Sequence, residues 1–390
     1  MLQRIRHMNR PRSSPYNKQY FHGLSIPCIT MFLLFILLVH AASADVRDPV
    51  QLTDAHIEGT CLYPSWSPDG TRIAYQGNSS LWIMRSDGSE KTRLPVDSPV
   101  VHPGWSPAGD EIAFSQSDGE ELDVWAIRSD GTGAIRLTNA PYDDFFISWS
   151  PDGTKIAFFS NRSGSRELWV MKADGSNQHR VFDGEVCDYQ LVDTIDVRIS
   201  WSPSGDQIAI PSFADSRYDI WIADVSGGKK TPLLLKWAFN PKWSPEEKDI
   251  AYFSMDVWTI RPDGSGGCQL TDDGCSGGMA LGWSPSGRKI AYSSCGEVKV
   301  MDWDGSAQQT VKPLGPPVSR ELYWSPTGDT IIMSDGREIY LIELDEHTRD
   351  NAALAGEDDR MSPVPGFIAI SSAFALVLLW CCISFRKKCA

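Results

Sequence analysis

One pentapeptide in this chain carries the spelling of a nucleophile. Gly274-Cys275-Ser276-Gly277-Gly278 fits Gly-x-Ser-x-Gly, a pattern in which a strained strand-to-helix turn presents a serine to an acid and a histidine further along. Only His347 follows it and no helical pattern does, so a glycine-rich loop is expected there. Histidines are few. His56, His102, His179 and His347 stand between the terminal segments, and no pair has the HxH or HExxH spacing of a metal site. His56 and His102 are expected as separate surface histidines. No catalytic residue, metal ligand or cofactor is assigned. The many Asp-Gly pairs raise calcium as a cation, but an ion needs several converging oxygens, whereas one Asp beside Gly is what a turn already requires.

What the chain has in quantity is acid. It holds 50 Asp and Glu against 36 Lys and Arg, a net charge of −14. The terminal segments contain eight of those basic residues and none of the acids, so the part between them is more acidic still. Such a surface repels nucleic acid and attracts cations or basic partners. Four segments concentrate the candidates: TDAHIEGTC (53–61) with Asp54 and Glu58; NAPYDDFF (139–146) with Tyr142, Asp143, Asp144 and Phe145; FDGEVCDYQLVDTIDVR (182–198) with Asp183, Glu185, Asp188 and Tyr189; and TDDGCSGG (271–278) with Asp272 and Asp273. Carboxylates edged by aromatic rings suit a basic protein segment, a cation or a glycan.

A repeat positions these segments. Trp-Ser-Pro occurs seven times, at Trp66, Trp105, Trp149, Trp201, Trp243, Trp283 and Trp324, at intervals of 39 to 52 residues. Isoleucine stands seven residues after every one of these tryptophans, and glycine four residues after all but one, where Glu247 replaces it. Within a unit such as SWSPDGTRIAY, proline and glycine turn the chain. Alternating β-formers follow, and an Asp-Gly hairpin leads to a last short strand. Four short antiparallel strands every 40 residues or so describe a β-propeller. The seventh unit has three strands and no fourth, while VQLTD (50–54) precedes the first unit. The expected fold is therefore all-β, a seven-bladed propeller over 45–345 closed by an N-terminal strand that completes the last blade. The acidic segments become the connections from one blade's outer strand to the next blade's inner strand, all on one face. The longest of them precedes Trp201, and long loops in compact domains are often functional.

The unit PSWSPDG…IAY…LWIM…DGS…RLT resembles the TolB-type propeller repeat, which also occurs in the propeller domains of prolyl-oligopeptidase-like peptidases and the tricorn protease. The resemblance covers about residues 50–345 and implies the fold far more than any activity.

The termini read as an address. Residues 1–44 have a basic start, an apolar core and the small triplet Ala42-Ser43-Ala44, the pattern of a secretory signal peptide. After a linker at 346–364, residues 365–385 form an uncharged stretch long enough to span a bilayer, followed by a basic tail at 386–390. Basic residues remain cytoplasmic, which puts the propeller outside. Pro365-Gly366-Phe367, the apolar span and the basic end together are similar to the PGF-CTERM sorting signal of archaeal surface proteins. That resemblance implies a sorting protease, a lipid anchor and an archaeal source. Asn78 and Asn161 open glycosylation sequons. Of the five propeller cysteines, Cys275 and Cys295 share a face and are the expected disulfide. These features point to a cell-surface, membrane-anchored propeller that binds or scaffolds envelope proteins or ligands through its loop face. The alternatives are an extracellular lyase or hydrolase acting on polysaccharide or peptide, and a structural envelope component.

Overall fold

The structure is a computed structural model. It describes residues 48–350 except 97–98, 118, 120, 185, 187–198, 215–216, 235–236, 273–279, 314–320 and 346–347. The described residues form seven four-stranded antiparallel sheets. In blade one the strands run Cys61–Trp66, Arg72–Gly77, Ser80–Arg85 and Thr92–Arg93 from inside to outside. The inner strands of blades two to seven are Val100–Trp105, Asp144–Trp149, Ser200–Trp201, Phe239–Trp243, Leu281–Trp283 and Glu321–Trp324. Every inner strand thus ends on the repeat tryptophan.

The Trp-Ser-Pro turn has a mechanism beyond proline and glycine. Its serine is buried in all seven copies. Ser67 Oγ accepts the N–H of Arg72 at 2.9 Å, and the same bond recurs from Ser106 to Ser325. The turn glycine adopts a left-handed φ, +69° at Gly70, and Glu247 takes the same conformation at +61°. A Cβ on Gly70, Gly109, Gly153, Gly205 or Gly287 would sit 3.1 to 3.7 Å from the proline of the preceding blade's turn. The turns therefore interlock around the ring as well as reversing the chain.

The repeat tryptophans extend the same stitching. Five indole N–H groups donate to a backbone carbonyl on the preceding blade's inner strand at 3.0 to 3.4 Å, from Trp66 to Tyr323, Trp149 to Gly104, Trp201 to Ser148, Trp283 to Lys242 and Trp324 to Gly282. Trp105 and Trp243 instead donate their backbone N–H to Ser65 and Ser200 of the blade before. The isoleucine seven residues after each tryptophan is fully buried in every blade. Seven hydrophobic clusters result, each straddling one blade interface.

One of those clusters joins Leu52, Ile332 and Ile339 of blade seven to Ile73, Tyr75 and Met84 of blade one, so the ring is closed. The fourth strand of blade seven is Val50–Gln51, paired antiparallel with Ile339–Glu343 in the register Val50↔Leu341, as the sequence predicts. Beyond this strand Thr53 Oγ1 donates to Glu338 at 2.8 Å, and Ala55 N–H donates to the other oxygen of the same carboxylate at 2.7 Å. At the far end, Asp350 accepts the N–H of Ser286 at 2.7 Å and donates its own to Gly328 O. The described chain thus leaves the ring on the turn face, opposite the loop face.

Candidate functional site at the loop face and channel mouth

The loop face reassigns most of the predicted carboxylates to structural work. Asp54 caps the helical turn Ala55–Glu58, accepting His56 N–H at 2.9 Å. Glu58 is buried, where its carboxylate accepts the Tyr75 hydroxyl at 2.9 Å and pairs with Lys91 at 2.5 Å. Asp143 accepts Leu122 N–H and the Asn161 amide, both at 3.1 Å. Asp144 and Phe145 begin the blade-three inner strand rather than standing in a loop. Asp144 is fully buried and receives Arg162 at 2.9 and 3.0 Å, while the guanidinium lies 4.4 Å over Trp169. Phe145 is part of the core. Asp183 pairs with Lys230 of the next blade. Tyr142 and Asp272 are exposed. Glu185, Asp188, Tyr189 and Asp273 lie outside the described residues, as do Cys275 and the Pro365-Gly366-Phe367 signal.

Other expected features divide in the same way. Asn78 is exposed in a second-to-third strand turn, whereas the Asn161 amide is clamped to Asp143. Cys295 is disulfide-bonded, and so is Cys268. Cys61 is free and buried, and burial pushes its thiol up to about 12; protonated at neutral pH, it is no nucleophile. Burial, reinforced by the Glu58 carboxylate, likewise pushes the Tyr75 phenol upward. His56 is exposed, but His102 is not the separate surface group expected: it stands in an inner strand between two rings. Among the described residues no group of three His, Cys, Asp or Glu side chains is arranged to hold a metal ion.

The inner strands hold a feature that no sequence motif announces. Tyr63, His102, Phe146 and Asn240 have left-handed φ values between +51° and +54°. Each sits in a register break of its strand. For a residue with a Cβ this conformation costs roughly 1–2 kcal/mol, and it persists only where the surroundings over-determine it. A bulge also re-aims the side chain it carries. All four stand three residues before a repeat tryptophan. The seven residues at that position are Tyr63, His102, Phe146, Arg198, Asn240, Ala280 and Glu321, no two alike; Arg198 lies outside the described residues.

Three of them form a ladder across the mouth of the channel. The His102 ring lies 4.0 Å from Tyr63 on one side and 3.8 Å from Phe146 on the other. Phe146 rests on Phe145 and Phe159. The Tyr63 N–H donates to the buried Glu321 carboxylate at 2.9 Å, which carries the arc across the closure into blade seven. Tyr63 and His102 are partly exposed, with the His102 ring packed between Tyr63 and Phe146 and Glu321 buried beneath. Partly exposed aromatic rings are able to stack on a sugar or an apolar side chain.

A second omission concerns the acids. Asp123, Glu167, Asp219, Asp256, Glu297 and Glu338 stand two residues before the third-strand position filled by Trp125, Trp169, Trp221, Trp258, Lys299 and Tyr340. In several blades they are bonded to the outer strand, as Glu167 is to Arg180 at 3.1 Å and Asp256 to Gln269 at 3.0 Å. The spacing is legible in the sequence, and its purpose is intra-blade.

Seven sheets with these turns define a seven-bladed β-propeller. The TolB beta propeller domain model, PD40, matches residues 39–196. The uncharacterized protein Atu1656 of Agrobacterium fabrum is 30% identical over 150 residues, which cover 33% of this chain and 51% of that protein. The chain thus spans about half the length of that curated relative. Among solved structures, the putative TolB from Agrobacterium tumefaciens is 19% identical at a TM-score of 0.45, over 74% of this chain and 91% of that one. An oligogalacturonate lyase in complex with manganese is 14% identical at a TM-score of 0.58, over 76% of this chain and 93% of that one. At that identity the likeness is one of fold.

Proposed function

We propose that this protein is a membrane-anchored, cell-surface propeller that binds or scaffolds envelope proteins or other ligands through its loop face. The observation that carries the reading is the contrast along each inner strand. The tryptophan, serine and proline at the turn end are the same in seven copies, while the residue at the channel mouth differs in every one. Of the six described residues at this position, Tyr63 and His102 are partly exposed and Phe146, Asn240, Ala280 and Glu321 are buried, so the recognition reading rests on Tyr63 and His102. His102 places both ring faces against Tyr63 and Phe146, a packing that suits a recognition surface better than proton transfer.

The anchoring part of the proposal rests on the signal-like residues 1–44 and the apolar span 365–385 with its PGF-CTERM-like tripeptide. The test is a glycan array and a panel of labelled peptides screened with the full chain in detergent, alongside metal analysis of the same sample. The binding reading expects a retained ligand that the Tyr63→Ala, His102→Ala double variant releases by about tenfold or more. Retention unchanged by that variant overturns it.

A further inference from the structure

Two sequons stand on the loop face, and the fold treats their asparagines differently. Asn78 opens Asn-Ser-Ser and Asn161 opens Asn-Arg-Ser. Each follows the second strand of its blade, Arg72–Gly77 in blade one and Lys155–Ser160 in blade three. The Asn161 amide is used in both directions. Its Oδ1 accepts the Asp143 N–H at 2.9 Å, and its Nδ2 donates to Asp143 Oδ2 at 3.1 Å. Its backbone N–H donates to Asp143 O at 3.2 Å. Arg162, the middle residue of that sequon, is held by the buried Asp144 carboxylate. A saccharide on Asn161 would replace one of the two Nδ2 hydrogens and set a bulky group beside the Asp143 carboxylate.

Asn78 is held through its backbone alone. With Ser79 it forms the two-residue loop between the paired residues Gly77 and Ser80, at φ values of +46° and +59°. Asparagine is favoured in a hairpin loop of that kind. The Asn78 N–H donates to Thr60 O at 3.3 Å, and Ser79 O accepts the Val100 N–H of blade two at 2.8 Å. A Cβ on Gly59 would lie 2.8 Å from the Asn78 Cβ, so the preceding loop closes on the stem of the side chain. The residue is nonetheless exposed, and its side-chain amide bonds to none of the described residues. The turn accounts for an asparagine at this position but makes no use of its amide.

We infer that Asn78, and not Asn161, is an N-glycosylation site of this chain. The co-reactant is a lipid-phosphate-linked oligosaccharide. Nδ2 forms a bond to the anomeric carbon, the bond from that carbon to the phosphate oxygen breaks with its electron pair leaving on the phosphate, and Nδ2 gives up one proton. The saccharide stands on the hairpin beside the strand that carries Tyr63. The inference rests on the export that the proposed function assumes.

Tandem mass spectrometry tests it on the full chain purified in detergent from the cells that make it. Tryptic peptide 73–85 contains Asn78 and no other asparagine, and peptide 156–162 contains Asn161. Saccharide mass is expected on the first and none on the second. Asn78→Gly suits the left-handed turn, and Ser80→Ala removes the sequon hydroxyl. Each should abolish the added mass, while Ser80→Thr keeps it. A membrane-impermeant amine label applied to the intact cells is read in the same digest. The inference is overturned by a bare Asn78 on a labelled chain, by saccharide on Asn161, or by added mass that survives Asn78→Gly. An unlabelled chain with a bare Asn78 overturns the inference and the cell-surface address together.

Discussion

At the turn end of each inner strand the seven copies agree: tryptophan, serine, proline, and a buried isoleucine on the next strand. At the other end, three residues before the same tryptophan, where four of the strands bulge, they all differ. The turn end is where neighbouring blades interlock, through proline against glycine and indole against carbonyl. Its residues meet the same surroundings seven times, so one solution is repeated. The bulge end lies at the mouth of the channel, where side chains such as Tyr63 and His102 remain partly exposed. Ring stability holds the first end to one solution, while the second admits seven different side chains.

The contrast breaks if the two ends prove energetically alike. Trp201 is 8% exposed and donates to Ser148 O at 3.3 Å. Trp201→Ala should cost about 3–5 kcal/mol, read as a lower urea midpoint. His102→Gly loses two ring contacts but relieves a left-handed φ, and should stay within about 1 kcal/mol of wild type. Equal losses would mean that the ladder is as much scaffold as the turn. Next in size is the closure. Glu338→Ala leaves the Thr53 hydroxyl and the Ala55 N–H without their acceptor, at a cost of about 1–3 kcal/mol. A smaller loss than that of an ordinary turn serine would show that the strand pairing of Val50–Gln51 closes the ring unaided.

The same contrast explains what the sequence revealed. The blades, their number and the closing strand were legible because each signal recurs in a fixed register, and because Val50 to Asp54 supplies the one strand that blade seven lacks. The acidic face was legible only as composition. Whether a carboxylate is free depends on partners distant in sequence: Arg162 for Asp144, Lys91 and Tyr75 for Glu58, Lys230 for Asp183. No local pattern announces those pairs. The ladder was hidden for another reason. Tyr63, His102 and Phe146 come together only when three blades pack around the axis, and in the sequence they appear simply as three unlike residues.

Glu247 offers a finer probe, because it brings a variable residue into the constant end. It occupies the left-handed turn position filled by glycine in the other six blades, and its carboxylate accepts the Ser204 hydroxyl at 2.5 Å. Glu247→Gly removes strain worth roughly 1–2 kcal/mol and forfeits an exposed hydrogen bond worth about 0.5–1 kcal/mol. A gain of about 1 kcal/mol or less in thermal unfolding is expected. A loss would mean that the Ser204 contact, which bridges blades four and five, outweighs the backbone.

The smallest expected effect concerns the acids of the turns themselves. The Ser150 hydroxyl, followed by the backbone and side chain of Thr154, holds the Asp152 carboxyl at about 2, below its ordinary 3.8. A depressed carboxylate adds stability that is fully present above the ordinary value and is lost as pH falls through about 2. The melting temperatures of wild type and Asp152→Asn should therefore differ at pH 5 and converge toward pH 2. The gap should amount to a few tenths of a kcal/mol, because the group is largely exposed and screened. Asp110, Asp206 and Asp329 reach the same serine from two residues further along the turn. The serine hydroxyl donor is thus the fixed element and the acid's position is interchangeable, so moving the acid from position 152 to position 154 should restore the lost increment. Failure to restore it would show that the bond to the Thr154 N–H, rather than the one to Ser150, carries the effect.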